Sequence, residues 1–244
     1  MDGGFVQKVI WAREKRAPTS ADIIAECERI RAHPAFAECD LLRIYFYDAP
    51  PSQAQLVNPI DGSVLDLQAT DTYASSVKLQ AELKATPDFA LRMGDVLSSG
   101  WRVSDSSISK ISKEPRSLAA SDLKPNLRQK GVDIRIGLDI ARLALKDTVR
   151  SLVVVTADAD FVPAFKFARR EGIRVYLDTM GRPCRPELIE HSDLRLSPIP
   201  TPEERRREKQ RRSRERQKAR RSTSLDEALL AAKDMPLGGN SHKD

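Results

Sequence analysis

Apolar residues along this chain gather in short runs separated by polar, Pro- or Gly-containing stretches, and the sharpest run is Leu152-Val153-Val154-Val155. Its lack of polar alternation predicts a strand covered on both faces, and AFKFARREG after Pro163 predicts a following helix. The same reading predicts helices over 5–15 and 20–32. The second has Ser20 as N-cap and Ile23, Ile24, Cys27 and Ile30 as its apolar positions. LLRIYFY at 41–47 predicts a strand ending at Asp48-Ala49-Pro50-Pro51, 53–66 an exposed loop, 71–85 a helix, and 89–101 a strand or hairpin around Gly94. The polar, Ser-rich stretch 102–121 predicts an insertion with little core. KGVD at 130–133 opens a helix whose apolar face is expected to hold Ile134, Leu138, Ala141 and Leu145. A Gly172 stop, a strand at 174–177 and a short helix at 187–192 complete the pattern. Alternating β and α elements with Gly-punctuated returns predict a parallel sheet covered by helices.

The run at 152–155 leads through Thr156 into Asp158 and Asp160, on a strand-to-helix turn, the edge where open α/β sheets bind ligands. Asp2 stands before two glycines and Asp133 near a helix start, so both can reach the same edge. Four ionised carboxylates there would repel one another unless a divalent cation neutralised them. No His or Cys set accompanies them, and oxygen-only ligands suit Mg2+ or Mn2+ better than zinc. Such a cation can activate water and neutralise charge on a phosphodiester. Each acid also has a structural reading. Asp158 can cap the following turn, Asp133 can be a first-turn helix carboxylate, and Asp139 and Asp193 read as buried or capping polar groups rather than ligands.

Composition narrows the setting. Of the formal +6 on 244 residues, the segment 203–221 holds eleven Lys/Arg against four Glu, so the remainder is close to neutral. A segment that basic and that poor in apolar residues is expected to be disordered or a single solvated helix, either a nonspecific RNA contact over 205–221 or only a solubilising tail. Cys27, Cys39 and Cys184 form no paired motif and fit a reducing cytosol. No apolar run is long enough to span a membrane, and a soluble, cytoplasmic, unexported protein is expected. Lys130, Arg135, Lys166, Arg169 and Arg170 flank the acids and can hold RNA phosphates or simply form a solvated face. Phe161, Phe165 and Phe167 are expected in the core in part, and 225–232 (LDEALLAA) could form a small partner-binding helix.

The set MDGGF, KGVD with Leu138-Asp139, VVTADADFVPAFKFARREGIRVYL and the late Glu187-Leu188…His191-Ser192-Asp193 resembles the NYN domain family, a LabA-like branch of the PIN-like nucleases. The resemblance runs from Asp2 to about Asp193. It implies a PIN-like three-layer α/β/α sandwich over 1–197, with a basic tail over 198–244. It also implies metal-dependent hydrolysis of RNA, single-stranded RNA as partner, and Asp2, Asp133, Asp158 and Asp160 as the catalytic, Mg2+- or Mn2+-binding set. Thr156 is then a hydroxyl supporting that set and Asp139 an outer polar group. Self-association as a homodimer stays open.

Members of this family are expected to have an apolar strand leading into the first aspartate, and here Met1 precedes Asp2 directly. The first strand is therefore expected to be missing or truncated, with its neighbours unpaired and Asp2 poorly held. A version extended upstream is expected to be more soluble and more active. A catalytically weak PIN-like module that holds RNA or a protein is the alternative, and a D-x-D glycosyltransferase a more distant one.

Overall fold

The computed structural model of the chain describes residues 1–198. In chain order these form α1 (Gly3–Glu14), α2 (Ser20–Arg31), β1 (Ile44–Asp48), β2 (Gln55–Val57), β3 (Val64–Asp66), α3 (Asp71–Ala85), β4 (Phe89–Met93), β5 (Asp95–Val103), α4 (Asp105–Lys113) and β6 (Leu123–Lys130). There follow α5 (Val132–Leu145), β7 (Ser151–Val155), α6 (Val162–Arg170), β8 (Arg174–Asp178), α7 (Pro186–Glu190) and β9 (Leu194–Arg195).

The core strands are parallel. β1 pairs with β4, and β7 with β8, which pairs in turn with β9. Between β1 and β7 lie Met1 and Asp2. The Met1 carbonyl accepts from Tyr47 N–H at 3.0 Å, and Asp2 N–H donates to the Val155 carbonyl at 3.1 Å. The Met1 amine donates to the Tyr45 carbonyl at 2.7 Å, and Asp2 bridges Tyr47 in parallel register. Two residues thus do the work of a strand at the end of the sheet where the acids lie. The expectation that Asp2 would be poorly held is corrected: its backbone is bonded on both sides before it caps α1.

Successive strand residues face opposite ways, and their burial separates two cores. Tyr47, Val154, Val175 and Leu177 pack with Val132, Ile136, Ile140 and Ala144 of α5 and with Phe165 and Ala168 of α6. Phe46, Val155 and Tyr176 pack on the other face with Val6 and Ile10 of α1, Ile23 and Ile30 of α2, and Leu79 and Leu83 of α3. Helices on both faces of a mainly parallel sheet make the three-layer α/β/α arrangement expected of a PIN-like fold.

Several local expectations are corrected. The cap of α2 is Thr19, not Ser20, because Thr19 and Asp22 form a reciprocal capping box. The expected loop at 53–66 contains the β2–β3 hairpin. β4 and β5 are not a hairpin around Gly94, since β4 joins the parallel sheet while β5 pairs antiparallel with β6. The polar stretch 102–121 carries α4 and leads into β6. The β5–β6 pair is tied to β2 by the Trp101 indole donating to the Val57 carbonyl at 2.8 Å. The largest correction is on α5: Ile134, Leu138 and Leu145 point to solvent, and Val132, Ile136, Ile140 and Ala144 face the core.

Candidate functional site

Three chain segments bring acids to one edge of the sheet. Asp2 ends the two-residue strand and caps α1, its Oδ1 accepting from Phe5 N–H at 3.0 Å. The glycine after it is required by packing, because a Cβ on Gly3 would lie 2.4 Å from the Tyr47 carbonyl oxygen. β7 delivers Thr156, which is fully buried. Its hydroxyl donates to Asp2 Oδ2 at 3.3 Å and accepts from Asp158 N–H at 3.2 Å, so one side chain links the two acidic segments. Asp158 then caps the 3-10 turn Ala159–Phe161, accepting from Asp160 N–H at 3.0 Å. Asp133 enters from the first turn of α5. Gly131, at φ 73, takes the left-handed conformation needed to turn β6 into that helix.

Burial, followed by the charges of Asp2, Asp158 and Asp160, pushes the Asp133 carboxyl above the usual carboxylate range. None of the four acids forms an ion pair among the described residues. The edge therefore gathers four carboxylates that no Lys or Arg among the described residues pairs with. Among the described residues no group of three or more His, Cys, Asp or Glu side chains is placed to hold a metal ion. The donor set, all oxygen and unneutralised, fits a hard divalent cation on chemical grounds.

The remaining predicted residues divide. Asp139 accepts from the Tyr47 hydroxyl at 2.9 Å and from Arg92 Nε at 3.3 Å. It thereby braces the strand against which Asp2 lies, and that hydrogen bond, after burial, pushes the Tyr47 phenol up. Lys130, Arg135, Lys166 and Arg170 are exposed. Arg169 is engaged elsewhere, in an ion pair with Asp193 at 3.0 Å. Asp193 also accepts from Val175 N–H at 2.8 Å, so it ties α6 to β8. Phe161 and Phe165 are buried in the core and Phe167 packs at its margin.

Sequence reasoning passed over two acids at other strand ends. Asp48 closes β1, is 4% exposed, and accepts from Gln7 at 3.2 Å, Gln80 at 2.8 Å and Gln129 at 3.1 Å. Gln129 also borders the site, its Oε1 lying 3.1 Å from where a Cβ on Gly4 would sit. Asp178 closes β8, fully buried, and is bound by Arg29, Ser197 and the Met180 N–H. The available signal was the same for both, an apolar strand ending in aspartate. No helix among the described residues is long and apolar enough to cross a membrane, and Cys27, Cys39 and Cys184 are free thiols.

A model of the NYN domain family matches residues 95–193. No curated protein and no solved structure matches the chain. The matched residues begin at β5 and contain Asp133, Thr156, Asp158 and Asp160, while Asp2, β1 and β4 lie before them. NYN domains are PIN-like and generally nucleases, consistent with the α/β fold and the acidic edge. The chain carries an NYN domain over residues 95–193.

Proposed function

We propose that the chain is a Mg2+- or Mn2+-dependent endoribonuclease of the LabA-like kind, working on single-stranded RNA in the cytoplasm. The observation that carries this reading is the Thr156 hydroxyl, which ties Asp2 to the Asp158 turn at the edge where Asp133 feels the charges of Asp2, Asp158 and Asp160. An edge that concentrates like charges with no Lys or Arg paired to them among the described residues is costly for the fold and is explained by a cation drawn from solution. Asp133, Asp158, Asp160 and Asp2 are the candidate ligands, acting directly or through bound waters. The Thr156 hydroxyl fixes Asp2 relative to the Asp158 turn. A cation so held would supply neutralisation of phosphodiester charge and activation of a water. Lys130, Arg135, Lys166 and Arg170 are the candidate phosphate contacts. Arg169 is a weaker one because of its pairing with Asp193. The basic run 205–221, proposed as a nonspecific RNA contact, and the segment 225–232 lie outside the described residues.

A second reading is favoured by a specific observation. Asp2 and Asp158 each spend a carboxylate oxygen on capping a backbone N–H, which leaves fewer oxygens for a metal. A module that binds RNA without cutting it would have this arrangement. Labelled single-stranded RNA incubated with the purified chain and Mn2+ separates the two. Cleavage abolished by EDTA and by Asp158→Asn supports the nuclease, and binding retained without cleavage supports the module.

A further inference from the structure

α5 has two apolar faces, and only one is used within the described residues. At about 100° per residue, Val132, Ile136, Ile140 and Ala144 fall on one side, buried in the core. Ile134, Leu138 and Leu145, with Ala141 between them, make a second stripe about 150° further round the helix. Their exposures are 65%, 64% and 66%, so nothing among the described residues covers the stripe. Gly137 borders it, and a Cβ added there would meet nothing within 4 Å. Single exposed leucines need no explanation, but large aliphatic side chains repeated along one helical stripe match the way a helix seats a partner helix.

The margin of the stripe says what kind of partner fits. Arg135, Arg142 and Lys146 follow one another along one flank, and none forms an ion pair among the described residues. Beside that flank is a cavity of about 190 Å³ lined by Leu42, Tyr45 and Leu143, with Arg43, Arg142 and Lys146 around it. A second copy of this chain matches poorly. Pairing α5 antiparallel with itself sets the cationic flank against its own image, and parallel pairing sets it against a side where Asp133 is the only acid of α5. RNA matches poorly too, because aliphatic side chains offer bases no aromatic platform.

We propose that this face of α5 docks an amphipathic helix of a protein partner, leucine-type side chains on Ile134, Leu138 and Leu145, and Glu or Asp residues on Arg135, Arg142 and Lys146. This surface shares Arg135 with the candidate phosphate contacts, but its apolar stripe does not rest on the nuclease reading.

The test uses the full chain and two labelled synthetic helical peptides with leucines at i, i+4, i+7 and i+11. One carries glutamates along a flank, and the other carries lysines at the same positions. Fluorescence anisotropy is expected to show the glutamate peptide binding at least about tenfold more tightly than the lysine peptide. Leu138→Ser is expected to weaken it about tenfold without lowering the melting temperature, and the double variant Arg135→Glu, Arg142→Glu to reverse the preference between peptides. Equal affinities, or affinity indifferent to Leu138→Ser, would overturn the proposal. So would a homodimer in sedimentation equilibrium that Leu138→Ser dissociates, an RNA affinity that Leu138→Ser lowers, or a large loss of stability in that variant.

Discussion

Two groups of acids lie at strand ends in this fold, and they are treated in opposite ways. Asp178, at the end of β8, is fully buried, yet Arg29, Ser197 and the Met180 N–H surround it. Arg29 also pairs with Glu26 at 2.8 Å, so β8 is latched to α2. Asp133, Asp158 and Asp160 are more open to water, and Asp2 is half-buried, but no Lys or Arg among the described residues pairs with them. A buried acid with a matched cation is a structural joint, because removing one partner strands the other. A cluster of acids without one spends stability, and such places are where functional groups are kept.

Substitutions that erase the difference between the groups should have unequal effects. The largest is expected from Asp158→Asn, which should lower Mn2+-dependent RNA cleavage at least about a hundredfold while leaving the fold intact. Single-turnover cleavage with a circular dichroism control reads both, and unchanged cleavage would remove Asp158 from the site. Asp178→Ala should do the reverse, losing about 2 kcal/mol in urea unfolding while cleavage per folded molecule holds. The loss is set at the low end because the Arg29 side chain is 42% exposed and partly screened.

Thr156→Val is a sharper probe, since it removes the hydroxyl joining Asp2 to the Asp158 turn. It should weaken Mn2+ affinity about tenfold by calorimetry, and Thr156→Ser should restore it. The smallest effect concerns Asp133 without metal. Its carboxyl is raised in the fold, so its contribution favours folding while protonated and is lost as pH rises through that raised value. In EDTA, Asp133→Asn should therefore raise the melting temperature at neutral pH by a few degrees, and the gain should vanish in acid, where the wild-type carboxyl is already neutral. A loss of stability at neutral pH would mean that Asp133 is held by favourable contacts rather than by crowding.

Much of the central architecture was legible because its signals are local. The run at 152–155, the strand ending at Asp48 and the helix after Pro163 have unmixed apolar or periodic patterns, and the structure keeps all three within a few residues. β6 was not legible. LKPNLRQK contains a proline and almost no apolar alternation, and it becomes a strand by pairing antiparallel with β5 across α4, in a ladder with a register shift between Ser98 and Trp101. On α5 the period was right and the face wrong. Val132, Ile136, Ile140 and Ala144 and, on the other side, Ile134, Leu138, Ala141 and Leu145 both recur every three or four residues, and such spacing cannot say which stripe meets a sheet.

The sequence by itself determined that this is an alternating α/β chain with acids at strand and helix ends, because strand and helix periods and turn residues act over a few neighbours. Only the tertiary structure decided that Asp2 is held between Tyr47 and Val155, that Thr156 links it to Asp158, and that Asp178 carries a counter-charge while no Lys or Arg among the described residues pairs with Asp158. Those outcomes depend on residues 29, 47 and 156 meeting partners up to 154 positions away. Such meetings follow from how the layers pack, which no local pattern encodes.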